Sequence, residues 1–394
     1  MPAPPGRGGN SIYAFANHSQ KCRVTNHPEG VSRLESRHRQ PRLNAVNMNV
    51  TVCSVMHGRD PGFMISIRRA IAIAVAIAIV SPCFGFKSPA WSSESHRVQI
   101  TFDASEAQMV LALLLKRRQA QPITEADWNA LFSSEPYRRL KLREEAMHVP
   151  FDDQDFKAFV LSDGLAAQYD ELRNTLDAWS RTDLNSSALR VLRYLPTQAR
   201  ISVKVFPEIK PRHNSFVFDT ETDPVIFLYI DPTVSADAFE NTVAHEMHHI
   251  GLANTDALYA KKIAALPPGR KKAAEWMGAF GEGLAVLAAA GGADISPTRF
   301  SQPDIKENWE RAMQNFDMDV ASLNEFFLDV VDGRLQGEAA DQKALTFFGK
   351  LQGPWYTVGY RMATLVEKRY GRPTLIECML DRRLLLVRRY PRPE

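Results

Sequence analysis

The chain has 394 residues, 45% of them hydrophobic and 24% charged, which is enough apolar material for a substantial core. Its formal charge of +3 is unevenly placed: residues 1–97 carry 12 Lys/Arg against 4 Asp/Glu, and residues 98–394 carry 36 against 41. The folded part is therefore mildly acidic, which argues against a nucleic-acid partner, and with Cys22, Cys53 and Cys83 in the leader and Cys378 alone behind it, neither a disulfide framework nor a cysteine zinc finger is available.

Residues 1–63 are rich in Arg, Pro, Gly and Asn and lack periodicity, so they read as a disordered extension or as the product of a misassigned start. Residues 64–90 (MISIRRAIAIAVAIAIVSPCFGFKSPA) have the layout of a secretory signal peptide. Arg68 and Arg69 precede an apolar run from Ala70 to Val80, and Pro82, Gly85 and small residues follow. The run is short of the ~20 apolar residues of a spanning helix, which favours a cleaved signal over an anchor. Translation from Met64, Met56 or Met48 would explain its late position, with an organellar transit peptide as the minor alternative. The protein is expected to be secreted or periplasmic and to touch a membrane only through this segment, if it stays uncleaved.

The folded domain is expected over residues 98–394. Residues 98–200 read as helices: Ser105 to Lys116, a helix after a Thr124–Asp127 capping box, Phe156 to Trp179, and Ala188 to Leu195, which Pro196 stops. ISVKVF (201–206) then alternates, and SFVF (215–218) and the apolar run VIFLYI (225–230) follow, which predicts a sheet of about three strands. Ser235 is a candidate N-cap for a helix reaching about Leu252. After the break at Pro267-Pro268-Gly269, Lys271 to Ala290 reads as one helix ended by Gly291-Gly292. Asp304 to Phe316, Val320 to Val331, Asp341 to Leu351 and Trp355 to Tyr370 are helical in pattern too. The class is α+β, mostly helical, with a short sheet immediately before the key helix.

That helix carries the chemistry. In AHEMHHI (244–250), His245, Glu246 and His249 fit H-E-x-x-H. Positions i and i+4 of a helix share a face, so both imidazoles reach one metal ion. Glu246, about 100° around the helix, misses the metal and can take a proton from a water activated there. The competing interpretation is a polar helix face with solvated histidines. His248 is surplus, solvated or behind the ligands.

A catalytic zinc keeps three protein ligands and one open position. Leu252 and Thr255 stand where a metzincin needs Gly and His, which excludes that class. Glu282, in the apolar helix AFGEGLAVLAAA, is the preferred third ligand, because metal coordination offsets the cost of burying a carboxylate. Gly281 and Gly283 let another backbone approach it. Glu275, which reads as an ion-pair partner of Lys271 and Lys272, and Asp256 are the alternatives. One zinc per chain is expected.

HEMHH followed by FGEGLA resembles the gluzincin division of zincin metallopeptidases. The wider layout, over about residues 130–390, is similar to a poorly characterised group of bacterial zinc-dependent peptidases with an HExxH helix, a later E-G-x-A helix and a C-terminal Tyr-x-x-Gly-x-x-Met-Ala helix. Here the last is Tyr356, Gly359, Met362 and Ala363. The resemblance implies a zincin-like fold, a peptide substrate, and a strand at 225–230 lying along that substrate. Thermolysin-like members place an acid just beyond the third ligand, where this chain has Ala285 and Val286, so a partner that orients a histidine must come from elsewhere. Asp256, Asp304 and Asp317 are the available acids.

Peptide hydrolysis also needs an oxyanion donor. Tyr356 and Tyr360, i and i+4, are the first candidates, followed by Arg361 and His213. The bland interpretation is half-buried core tyrosines. Trp276, Trp309 and Trp355 read as core or cleft lining, and the arginines at 382, 383, 388, 389 and 392 as a solvated face. The sequence points to an exported zinc metallopeptidase with Glu246 as general base. Its rivals are a zinc amidase or esterase acting on another envelope substrate, and an inactive exported binding protein.

Overall fold

The sheet begins earlier than the sequence predicts. VQITF at Val98–Phe102 alternates in burial and forms β1, within a stretch read as helical. Its pairing partner lies about a hundred residues downstream, and a short edge strand gives little local signal. The computed structural model describes residues 95–219, 222–349 and 351–387; the N-terminal extension, the signal-peptide segment and Arg388, Arg389 and Arg392 lie outside them.

Three further strands, β2 (Ile201–Glu208), β3 (Phe216–Phe218) and β4 (Val225–Tyr229), complete a four-stranded sheet in the order β1-β2-β4-β3. β1, β2 and β4 run parallel, with Ile100 opposite Val203 and Phe206 opposite Phe227; β3 pairs antiparallel to β4, with Val217 opposite Ile226. Alternation gives the sheet two apolar faces. Val203, Val205, Ile226 and Leu228 enter the main core. Phe206, Phe216, Val225 and Phe227 pack instead with Leu140.

Helices wrap both faces. Between β1 and β2 lie α1 (Ser105–Arg118), α2 (Glu125–Ser133), α3 (Glu135–Ala146, which carries Leu140), α4 (Asp153–Val160), α5 (Asp163–Ala167), α6 (Tyr169–Trp179) and α7 (Leu184–Leu192). The Thr124–Asp127 capping box starts α2 as expected. The single helix expected from Phe156 to Trp179 is three, because Ser162 accepts the Leu165 N–H and starts a new helix.

After β4 comes α8 (Ala236–Ala253), capped by Ser235, which accepts the Ala238 N–H at 3.2 Å. Such a cap contributes about 1 kcal/mol. Val243, Met247 and Ile250 of α8 share the main core with the inner face of the sheet. Next come α9 (Asp256–Ile263), α10 (Pro268–Trp276) and α11 (Gly281–Ala290). The helix expected to run unbroken to Ala290 is divided by a 3-10 turn at Met277–Phe280, where Gly278 and Gly281 weaken the α-helix. Gly291, at φ +90°, closes α11 as expected. The chain continues through α12 (Pro303–Gln314), α13 (Phe316–Val331), α14 (Gly337–Thr346), α15 (Pro354–Tyr370), α16 (Arg372–Leu380) and α17 (Leu384–Val387).

Helix α11 is buried along its whole length. It packs on α8 and crosses α15 at Gly283 and Gly359, whose Cα of Gly283 would lie 3.2 Å from a Cβ at 359. Trp276, Trp309 and Trp355 are all buried in the main core. No helix among the described residues is long and apolar enough to cross a membrane.

Candidate metal centre

The cap at Ser235 and the i, i+4 spacing put His245 and His249 on the side of α8 that meets α11. There Glu282, in the first turn of α11, points between them. The three ligand atoms make a near-equilateral triangle. His245 Nε2 is 3.0 Å from His249 Nε2, and Glu282 Oε2 is 3.2 Å from each. Tetrahedral zinc with bonds of ~2.05 Å has ligand–ligand edges of ~3.3 Å, so the triangle fits that ion. Among the described residues this is the group of His, Cys, Asp and Glu side chains able to hold a metal.

The electrostatics are those of a prepared cation site. Burial alone would raise the pKa of Glu282, but the charge of His249 and hydrogen bonds from His245 and His249 outweigh it and hold the carboxyl well below its usual range. Burial likewise works against charge on His249, and Glu282, then Glu246 and Asp256, overcome it and raise its pKa. Glu246 is half-buried beside the triangle. Tyr356 of α15 approaches from the other helix, its ring 6.2 Å from that of His245 and nearly parallel to it. Burial pushes the Tyr356 hydroxyl well up, and the charges of Glu282 and Glu246, with a hydrogen bond to Glu282, push it further.

Residues 128–392 match the family DUF5700, described as "Putative zinc dependent peptidase". The chain belongs to that family. The match takes in α8, α11 and α15, hence every residue of the triangle, and starts after β1 and α1. No curated protein and no solved structure matches the chain.

Within this family member, other candidates lie away from the triangle. His248 is fully buried rather than solvated, and no partner among the described residues reaches either ring nitrogen. At i+3 from His245 it turns into the core, where burial, then His249, His245 and Arg382, drive its pKa well down. Tyr360 is not brought to the centre: its ring packs edge-on to Trp309, and its hydroxyl feels Thr364, Lys368 and Asp294. His213 stacks on Tyr229, and Arg361 lies over Phe316. Glu275 is outside the group.

Asp256 instead accepts a hydrogen bond from buried Arg382 at 2.6 Å and is outside the metal-holding group, although its charge adds to those that raise the His249 pKa. Arg382 is therefore core, not solvated surface. Asp304 and Asp317 are exposed. Strand β4 is hydrogen-bonded on both sides at Val225–Phe227, so it offers no free edge there to an extended peptide; the edge beyond it belongs to β3.

Proposed function

We propose that the chain is an exported, single-zinc metallopeptidase that hydrolyses peptide bonds with Glu246 as general base. The observation that carries this reading is the triangle of His245, His249 and Glu282 at tetrahedral spacing, with Glu246 and Tyr356 beside it. A zinc ion bound there would supply Lewis acidity to a water molecule and to the scissile carbonyl.

The remaining work falls to the chain itself. His245 and His249 present their Nε2 atoms from one helix, and Glu282 supplies the balancing charge. Glu246 accepts the proton of the attacking water and returns it to the leaving amine. The Tyr356 hydroxyl keeps its proton and can donate it in a hydrogen bond to the developing oxyanion. The signal-peptide pattern at residues 64–90 supports export.

The test is Glu246→Gln, assayed on a panel of peptides with metal content measured alongside. The variant is expected to keep its zinc and its fold and to lose ~100- to 10,000-fold in kcat. Peptide hydrolysis at the wild-type rate in that variant would overturn the mechanism.

A further inference from the structure

Between Asp256 and Glu275 the folded part, acidic as a whole, turns basic. Residues 257–274 hold Lys261, Lys262, Arg270, Lys271 and Lys272 and no Asp or Glu. They form a helical hairpin, α9 and α10, that joins the end of α8 to the 3-10 turn before α11. Its inner side is fixed by packing. Tyr259 and Ile263 of α9 pack with Ala274 of α10, the Tyr259 hydroxyl donates to the Ala274 carbonyl at 2.7 Å, and the Arg382 guanidinium lies over the Tyr259 ring. Gly269 lies against the end of α13, where an added Cβ would sit 2.8 Å from the Val330 and Val331 carbonyl oxygens.

The outer side carries charge that the fold does not neutralise. Lys272 pairs with Asp341 at 2.6 Å, and Lys262 reaches Asp381 at 3.9 Å. Lys261, Arg270 and Lys271 are exposed, and no carboxylate among the described residues lies within ion-pair distance of them. Glu275, the expected partner of Lys271 and Lys272, pairs with neither. Arg270 and Lys271 stand in the first turn of α10, which holds no acid. Cations there oppose the helix dipole, so helix stability does not explain them.

Apolar atoms are exposed beside these cations. Leu258, 43% exposed, stands one turn before Lys261 on α9, and Ala264, Ala265, Pro267 and Pro268 at the tip of the hairpin are exposed too. A soluble polyanion would need the cations alone. A lipid surface accepts both, since headgroup phosphates take the ammonium and guanidinium groups while apolar side chains reach the acyl boundary.

We propose that the α9–α10 hairpin docks the protein on an anionic phospholipid surface, with Lys261, Arg270 and Lys271 on the headgroup phosphates and Leu258 at the lipid boundary. The same surface repels the acidic remainder of the domain, so the hairpin is the side that faces it. The contact is peripheral and separate from the N-terminal segment. It rests neither on the metal triangle nor on the peptidase reading.

Flotation of the full chain tests it, with vesicles of equal parts phosphatidylglycerol and phosphatidylcholine and with vesicles of phosphatidylcholine alone. The N-terminal segment contributes equally to wild type and variants, so the difference between them reads the hairpin. The triple variant Lys261→Gln, Arg270→Gln, Lys271→Gln is expected to bind the phosphatidylglycerol vesicles on the order of 100-fold more weakly than wild type, at about fivefold for each cation. Its binding to phosphatidylcholine should be unchanged, and high salt should narrow the gap between the two proteins. Leu258→Ser should bind the phosphatidylglycerol vesicles severalfold more weakly. All four side chains are exposed, so fold and zinc content are expected to stay as in wild type. Should the triple variant fail to fold, the single variants Lys261→Gln and Arg270→Gln decide. Wild-type binding in the folded variants would overturn the proposal. Stronger capture of the wild type by soluble polyphosphate than by the vesicles would overturn it too, and would assign the hairpin to a polyanion.

Discussion

Gly283 and Gly359 meet backbone to backbone where α11 crosses α15: a Cβ added at Gly283 would lie 2.0 Å from the Tyr360 nitrogen and 2.3 Å from the Gly359 carbonyl carbon. No side-chain rearrangement relieves such an overlap. Glu282 adjoins Gly283, and Tyr356 stands one turn before Gly359, so the crossing fixes the separation of carboxylate and phenol.

Gly283→Ala should therefore push the helices apart, costing about 1–3 kcal/mol or more and weakening zinc binding. Gly281→Ala is the control, since its Cβ would meet only a Leu252 methyl at 4.0 Å. Denaturant unfolding and metal content of both variants check this. Equal behaviour of the two would contradict the role assigned to the crossing.

Asp256→Asn removes a charge that Arg382 holds and that adds to those raising the His249 pKa. Arg382 is 5% exposed but Asp256 is 38% exposed, so the loss in stability is expected to be modest, about 1 kcal/mol. Zinc affinity should fall about tenfold, the usual consequence of removing an outer carboxylate. A competitive zinc titration that finds unchanged affinity would remove Asp256 from the account of the site.

Glu106 gives stability a pH dependence of its own. Its pKa is raised from 4.5 to about 8, so its contribution is fully present below pH 4.5 and is lost as pH rises through about 8. Lys210, lowered from 10.5 to about 8, acts in the opposite sense and mainly above that window: its contribution is present above pH 10.5 and lost as pH falls through about 8. Glu106→Gln stays neutral and can still accept the Ile209 N–H. Urea unfolding should show the variant gaining on the wild type as pH rises from 4.5 toward 8. A difference independent of pH would contradict the buried, protonated state of Glu106.

Much of the metal centre is legible in the sequence, because its parts follow local rules. Ser235 caps a helix whose i, i+4 spacing aligns His245 and His249, and Glu282 betrays itself as an acid inside an all-apolar helix. Gly281 and Gly283 mark a close approach in the sequence, but only the fold shows that Gly283 makes it, against Gly359, while Gly281 meets nothing nearer than a Leu252 methyl. What escapes depends on partners distant in the chain. β1 becomes a strand only when β2 arrives beside it. His248 looks like a surface residue until the core closes over it. Tyr356 and Tyr360 share a helix face in sequence terms, yet Tyr356 reaches Glu282 while Tyr360 packs on Trp309. Glu106 and Glu208 have the pattern of ordinary solvated acids, and their burial depends on α3 lying over the sheet.

The most direct test of the metal centre is elemental analysis of the purified full chain beside His245→Ala and Glu282→Ala. About one zinc per chain in the wild type and none in either variant, with all three folded, is the expected result. Zinc retained in folded Glu282→Ala would contradict the glutamate ligand, and a wild-type protein that stays metal-free when zinc is supplied would contradict the metallopeptidase reading itself.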